Sequence, residues 1–240
     1  LTFAISHSIK QWVQPEHEII VTRLDHDANI APWLQLSDET GAKIRWIDFD
    51  PRDCTLNLES FEKLLTNKTK LVAVGYASNS VGTINPVKEI AAMAHSVGAL
   101  VFVDAVQYAP HAPIDVQDIE ADFLVCSPYK FFGPHQGVLW AKYELLDSLP
   151  AYKVRPAENK PPRKFETGTQ SHEGQAGTLG ALEHIAWIGS EFGHDYAIQF
   201  SAMSHRRLYL HCGMAAIQAY EQELSAHLIK GLLKTFRVRI

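Results

Sequence analysis

The sequence predicts an α/β fold, with a mostly parallel central sheet flanked by helices. Two features predict it. Short apolar segments alternate with segments of helical spacing through the first half of the chain and a little beyond. Most strand candidates are also apolar throughout, as in "KLVAVGYAS" and "ALVFVDA". A strand that is apolar on both faces needs cover on both faces, and crossover helices on a parallel sheet supply it.

The elements follow in order. Leu1, Ile5, Ile9 and Trp12 have helical spacing. "EIIVTRL" (18–24) is β-branched and apolar, a strand. "DHDANIAPWLQLSDETG" (25–41) reads as a short helix that Gly41 can terminate. "KIRWIDFD" (43–50) alternates in polarity, as a half-buried strand does. Leu58, Phe61, Leu64 and Leu65 mark a helix. "KLVAVGYAS" is a strand, "NPVKEIAAMAHSVG" a helix with Pro86 near its start, and "ALVFVDA" a strand. "DFLVCS" and "GVLWAK" are two more strands. Residues 150–168, rich in Pro, Lys and Arg, form a long loop, and such loops are often functional. From Ala176 the chain reads as helical, ending in a long amphipathic helix over 201–236. The expected organisation is a large domain over 1–200. Residues 201–240 would be a long helix leading into a truncated C-terminal small domain. The uncapped start at Leu1 and the strand-like end "FRVRI" suggest a fragment of a longer chain.

Composition narrows the function. The chain has 240 residues, 46% hydrophobic and 20% charged, enough for a large core. A net charge of −5 without a Lys/Arg block speaks against a nucleic-acid partner. No apolar run is long enough to span a bilayer, and no signal-peptide pattern is present. Cys54, Cys126 and Cys212 are scattered and odd in number, which argues against a disulfide framework or zinc site. These observations together lead to an expected cytoplasmic location.

Ligands of an open parallel sheet bind beyond the carboxyl ends of its strands. At those ends stand His26, Asn79, Asp104 with Gln107, and Ser127 with Lys130. Each alone has an ordinary explanation. Asp104 can cap a helix, Asn79 and Ser127 can make turns, His26 can sit exposed, and Lys130 can snorkel past Phe131 and Phe132. Their coincidence at the ends of four strands is what points to a site. G-x-G-x-x-G and P-loop patterns are absent, as is metal-ligand spacing. A lysine aimed into a site with a strand-end carboxylate fits a carbonyl cofactor. The amine, if an apolar setting keeps it neutral, can form a Schiff base, and the carboxylate can hold a pyridine nitrogen protonated. That chemistry is pyridoxal phosphate's.

Four blocks, in order, resemble the class V aminotransferase family of pyridoxal-phosphate enzymes, nearest its cysteine desulfurase and selenocysteine lyase branch. They are "RLDHDANIAPW", "YASNSVGTINPVKEIAAMAHSVGALVFVDAVQYAPHAPIDV", "ADFLVCSPYKFFGPHQGVLW" and "KFETGTQS". The resemblance implies a fold like the large domain of pyridoxal-phosphate-dependent transferases. It implies that Lys130 bonds the cofactor aldehyde, Asp104 pairs with the pyridine nitrogen and Gln107 bonds the ring oxygen. His26 would stack on the ring, and Asn79 would lie beside the ring oxygen and the substrate carboxylate. Ser127 and Tyr129 would hold the phosphate. Thr169 would reach the phosphate of a partner subunit, which implies a homodimer with shared sites. An amino-acid substrate and a sulfur-acceptor protein are implied too.

Tyr129 departs from the branch, which has His there; a phenol donates a hydrogen bond but is no cation at neutral pH. None of the three cysteines matches the branch's persulfide cysteine. Transamination, epimerisation and kynureninase-type cleavage share the same core residues, and a non-catalytic binding or regulatory protein on this fold is the reading from another class.

Overall fold

A computed structural model describes residues 1–235. The strand expected within 236–240 lies outside them. Six strands form one sheet: β1 (Glu18–Thr22), β2 (Lys43–Ile47), β3 (Thr69–Gly75), β4 (Leu100–Asp104), β5 (Phe123–Cys126) and β6 (Val138–Ala141). Their spatial order is β2-β1-β3-β4-β5-β6. The first five are parallel and β6 returns antiparallel against β5. The sheet is therefore mostly parallel, as the apolar strands predict.

Helices α1 (Thr2–Ile9) and α2 (Ala31–Thr40) cover one face, and α3 (Leu58–Leu64) and α4 (Val87–Ser96) cover the other. The pleat sorts the strand residues between two cores. Ile20, Val72, Val74, Val101, Val103 and Leu124 pack with Phe61, Ile90 and Ala94. Ile19, Val21, Leu71, Ala73, Phe102 and Phe123 pack with Ile5, Ile9, Trp33 and Leu36. Burying each large side chain stabilises the fold by roughly 1.5–3 kcal/mol. One buried acid fastens the far edge. Asp122 accepts from the Val101 amide at 2.8 Å and the Lys142 ammonium at 2.7 Å, and meets His95 Nε2 at 2.9 Å.

Several boundaries differ from the sequence reading for local reasons. Residues 27–29 form a 3-10 turn before α2, because His26 caps it through its ring nitrogen. Gly41 ends α2 in the left-handed conformation, as expected. A short helix, α5 (Tyr143–Ser148), follows β6 and has no counterpart in the sequence reading. Residues 150–168 contain no helix or strand, as expected. The next helix, α6 (His172–Phe192), starts earlier than Ala176, because the Ser171 hydroxyl accepts from the Gly174 amide. The last, α7 (His205–Leu232), packs on α6 through its first half, where Met214 joins Ala181, Ile185 and Phe131. Leu224 and Leu228, in its second half, are exposed.

The chain order creates a crevice. β2 lies on one side of β1 and β3 on the other, so the connections leave β1 in opposite directions. Such a switch point opens a cleft at the carboxyl ends of the strands.

Candidate active site

That cleft holds a cavity of about 240 Å³. His26, Asn79, Asp104, Gln107, Ser127, Tyr129 and Lys130 all line it. Seven of the eight predicted residues are thus brought together. The eighth, Thr169, sits exposed in the loop after 150–168 and is not among the lining residues.

Each wall comes from one strand end. Asp104 closes β4, and its Oδ1 accepts from the Val106 amide at 2.9 Å. Burial pushes its carboxyl up, against the opposing pull of that amide and of His26. Gln107 follows on the turn that Ala109 closes by donating to the Ala105 carbonyl. His26 Nδ1 accepts from the Ala28 amide at 3.1 Å, which orients the ring at the mouth of β1. Asn79 lies in the turn after β3, braced by the bridge between Ala77 and Ile84.

Lys130 ends a 3-10 turn over Pro128–Lys130, immediately beyond β5 and Ser127. The turn needs Gly133, because a Cβ there would lie 2.9 Å from the Pro128 carbonyl oxygen. Phe131 and Phe132, which follow Lys130 in sequence, do not wrap it. Phe131 turns away into the cluster with Ala181, Ile185 and Met214, and Phe132 is exposed against the edge of His184. Lys130 itself is exposed, and the ring nearest its ammonium is Tyr129, with the centroid at 5.3 Å. The reason is geometric: consecutive residues in a tight turn point in different directions, so flanking aromatics need not flank the lysine in space. Among the described residues no carboxylate comes within ion-pair distance of Lys130.

The sequence reading missed Asp25. Its Oδ1 accepts from the Gly75 amide at 2.7 Å and from Thr22 Oγ1 at 2.9 Å, and its Oδ2 accepts from Asn29 Nδ2 at 2.8 Å. Burial raises its carboxyl to about 7 despite those donors, with the Asp104 charge adding to the rise. A carboxylate three residues after Thr22 and four before Asn29, at a strand-to-helix turn, was the available signal. The more conspicuous imidazole beside it masked that signal.

The family model for "Aminotransferase class-V" matches residues 2–211. The chain belongs to the class V aminotransferase family. Within this family it is similar to a probable cysteine desulfurase of Streptomyces coelicolor, 38% identical over 200 residues, covering 78% of this chain and 48% of the relative. A cysteine desulfurase of Synechococcus elongatus is 36% identical over 242 residues, covering 94% of this chain and 35% of the relative. Among solved structures, the apo cysteine desulfurase of Thermococcus onnurineus superposes with a TM-score of 0.80 at 26% identity, over 96% of this chain and 55% of that one. An Escherichia coli cysteine desulfurase gives 0.73 at 29%, over 85% of this chain and 56% of that one. This class V aminotransferase chain spans about half the length of most of these relatives or less.

The donor set suits pyridoxal phosphate. A buried carboxyl held above its ordinary range is relieved by a cationic ring N–H placed beside it. Gln107 carries an amide donor for a ring oxygen, Ser127 and Tyr129 carry hydroxyls for a phosphate, and Lys130 carries a free amine. Among the described residues there is no metal-binding cluster, and no helix is long and apolar enough to cross a membrane.

Proposed function

We propose that this protein is a pyridoxal-phosphate enzyme of the cysteine desulfurase type. The observation that carries the reading is that Lys130 and Asp104, from the ends of neighbouring strands β5 and β4, face one cavity in a chain of this family. Pyridoxal phosphate, when bound, supplies an electron sink for the bonds broken at the substrate's carbons.

The chain's own residues do the rest. Lys130 would anchor the cofactor's aldehyde, and its amine would move the proton at the substrate's Cα. Asp104 would hold the ring nitrogen's proton in place, where negative charge on the carboxylate would favour the protonated ring. Gln107 would donate to the ring oxygen. His26 would stack on the ring. Ser127 and Tyr129 would hold the phosphate, and Asn79 would lie beside the substrate carboxylate. With cysteine as substrate, the Cβ–S bond breaks and the sulfur joins an acceptor thiol as a persulfide. Protonation of the carbon skeleton gives alanine, so cysteine plus thiol becomes alanine plus persulfide.

Thr169, exposed and away from the cavity lining, is assigned to the phosphate site of a second copy in a homodimer. A sulfur-acceptor protein and a cytoplasmic location complete the proposal; the three free cysteines support a reducing compartment.

The test is to add pyridoxal phosphate, record the visible spectrum, reduce with borohydride and map the modified peptide. A label on Lys130, followed by alanine formation from cysteine, is expected. No label in a folded sample overturns the reading.

A further inference from the structure

A hydrogen-bonded chain leads out of the cavity to a distant helix. Gln107 Nε2 meets His111 Nε2 at 3.4 Å, and His111 Nδ1 meets Glu221 Oε2 at 2.7 Å. Glu221 lies 110 residues from His111, on α7. We propose that Glu221 and His111 are positioning residues that set the orientation of the Gln107 amide toward the cofactor. The inference rests on the proposed role of Gln107 at the ring oxygen.

Donor and acceptor chemistry gives the direction. An ionised carboxylate only accepts, so the imidazole nitrogen facing Glu221 carries the proton. In a neutral ring the other nitrogen, Nε2, then has a lone pair and accepts. It can take a hydrogen only from the amide nitrogen of Gln107, never from the amide oxygen. One N–H of Gln107 is thereby committed to His111. The amide cannot roll over without breaking that contact, and its second N–H is left for an oxygen in the cavity. A ring oxygen carrying negative charge needs a donor there, and a flipped amide would offer it a lone pair instead.

The surroundings leave this roll as the freedom to be controlled. The backbone around Gln107 is already set, by Ala109 donating to the Ala105 carbonyl and His111 donating to the Tyr108 carbonyl. Tyr108 is stacked on Tyr76, with centroids 3.7 Å apart and planes 1° from parallel. Arg207, at the start of α7, also reaches Asp115 at 3.3 Å, a second polar contact between α7 and this segment. The side chains of His111 and Glu221 are 44% and 42% exposed, so solvent screens the pair and its effect is several-fold rather than thousandfold.

The experiment uses the whole chain labelled with 15N, at about pH 8.5. Long-range proton–nitrogen correlations locate the imidazole proton of His111 without cofactor, with His111→Gln identifying the signal. The expected result is a proton on Nδ1, and its loss from that position in Glu221→Ala. Pyridoxal phosphate titrations then follow. Glu221→Ala and His111→Ala should weaken its dissociation constant by about two- to tenfold and shift the visible band, as loss of one oriented hydrogen bond does. Glu221→Gln keeps an acceptor and should restore both. A proton on Nε2 in the unaltered chain overturns the proposal, as do variants that bind with unchanged affinity and spectrum. An unaltered chain that takes up no cofactor refutes the function proposed above instead, and the position of the proton still decides whether this network exists.

Discussion

Asp25 accepts the backbone N–H of Gly75 at 2.7 Å, joining the end of β1 to the end of β3 across the switch point of the sheet. The contact sets the distance between the wall that carries His26 and the wall that leads to Asn79. Gly75 is opposite Asp104 in the strand register, so the same bond also braces the neighbour of Asp104.

Gly75→Ala should loosen this corner. A Cβ at position 75 would lie 2.8 Å from Asp25 Oδ1, inside van der Waals contact with a carboxylate held by three donors. The expected loss is about 1–3 kcal/mol of folding stability, the range for overpacking. Urea denaturation measures it, and a midpoint equal to that of the unaltered chain would show that the clamp yields freely.

Asp25 should also make stability depend on pH. Its carboxyl is raised from 3.8 to about 7, so the folded state favours the protonated form. The sign follows from linkage: the contribution is complete below the unfolded value and is lost as pH rises through about 7. It amounts to a few kcal/mol, because each tenfold gain in proton affinity on folding is worth roughly 1.4 kcal/mol. Denaturation midpoints at about pH 6 and pH 8 should differ more in the unaltered chain than in Asp25→Asn. Equal slopes in both proteins would remove Asp25 as the source.

Asp104→Ala should separate chemistry from binding. Its charge matters most while electrons accumulate on the ring, so turnover should fall by about a hundredfold or more. Cofactor affinity should change by less than about tenfold, because the lysine and phosphate contacts remain. Single-turnover rates and a cofactor titration check both. Turnover at the original rate would take Asp104 out of the mechanism.

Cys126 should be a poor nucleophile. Burial behind the site, with the Asp104 charge adding to it, pushes its thiol up to about 11. At neutral pH its thiolate, and hence its alkylation rate, should be about a hundredfold below that of an ordinary thiol. Iodoacetamide labelling followed by peptide mapping reads this out. Rapid labelling of Cys126 in the folded protein would make it a candidate sulfur acceptor, which the structure gives no reason to expect.

Most of the site was legible because strand ends are local. "ALVFVD" and "FLVCS" announce both the strand and the residue that leaves it, so Asp104, Gln107, Ser127 and Lys130 could be placed on one edge from the sequence. Asp25 was harder, since its partner Gly75 lies fifty residues away and carries no side chain to suggest a contact. The setting of Lys130 is hard to read from sequence for a related reason. Phe131 and Phe132 are neighbours in sequence, but a turn with Phe132 at a positive φ of 67° sends them elsewhere.

By itself, then, the sequence determined the α/β class, the six strands, the two-faced burial of the sheet and the polar residues at its carboxyl edge. Each of these follows from periodicity and from residues within a few positions of one another. The tertiary structure alone decided the order β2-β1-β3-β4-β5-β6, the clamp between Asp25 and Gly75, the exposure of Lys130 and the reach of Glu221 to His111. Those depend on which distant segments pack together, and close approach between segments is set by the whole core rather than by any local pattern.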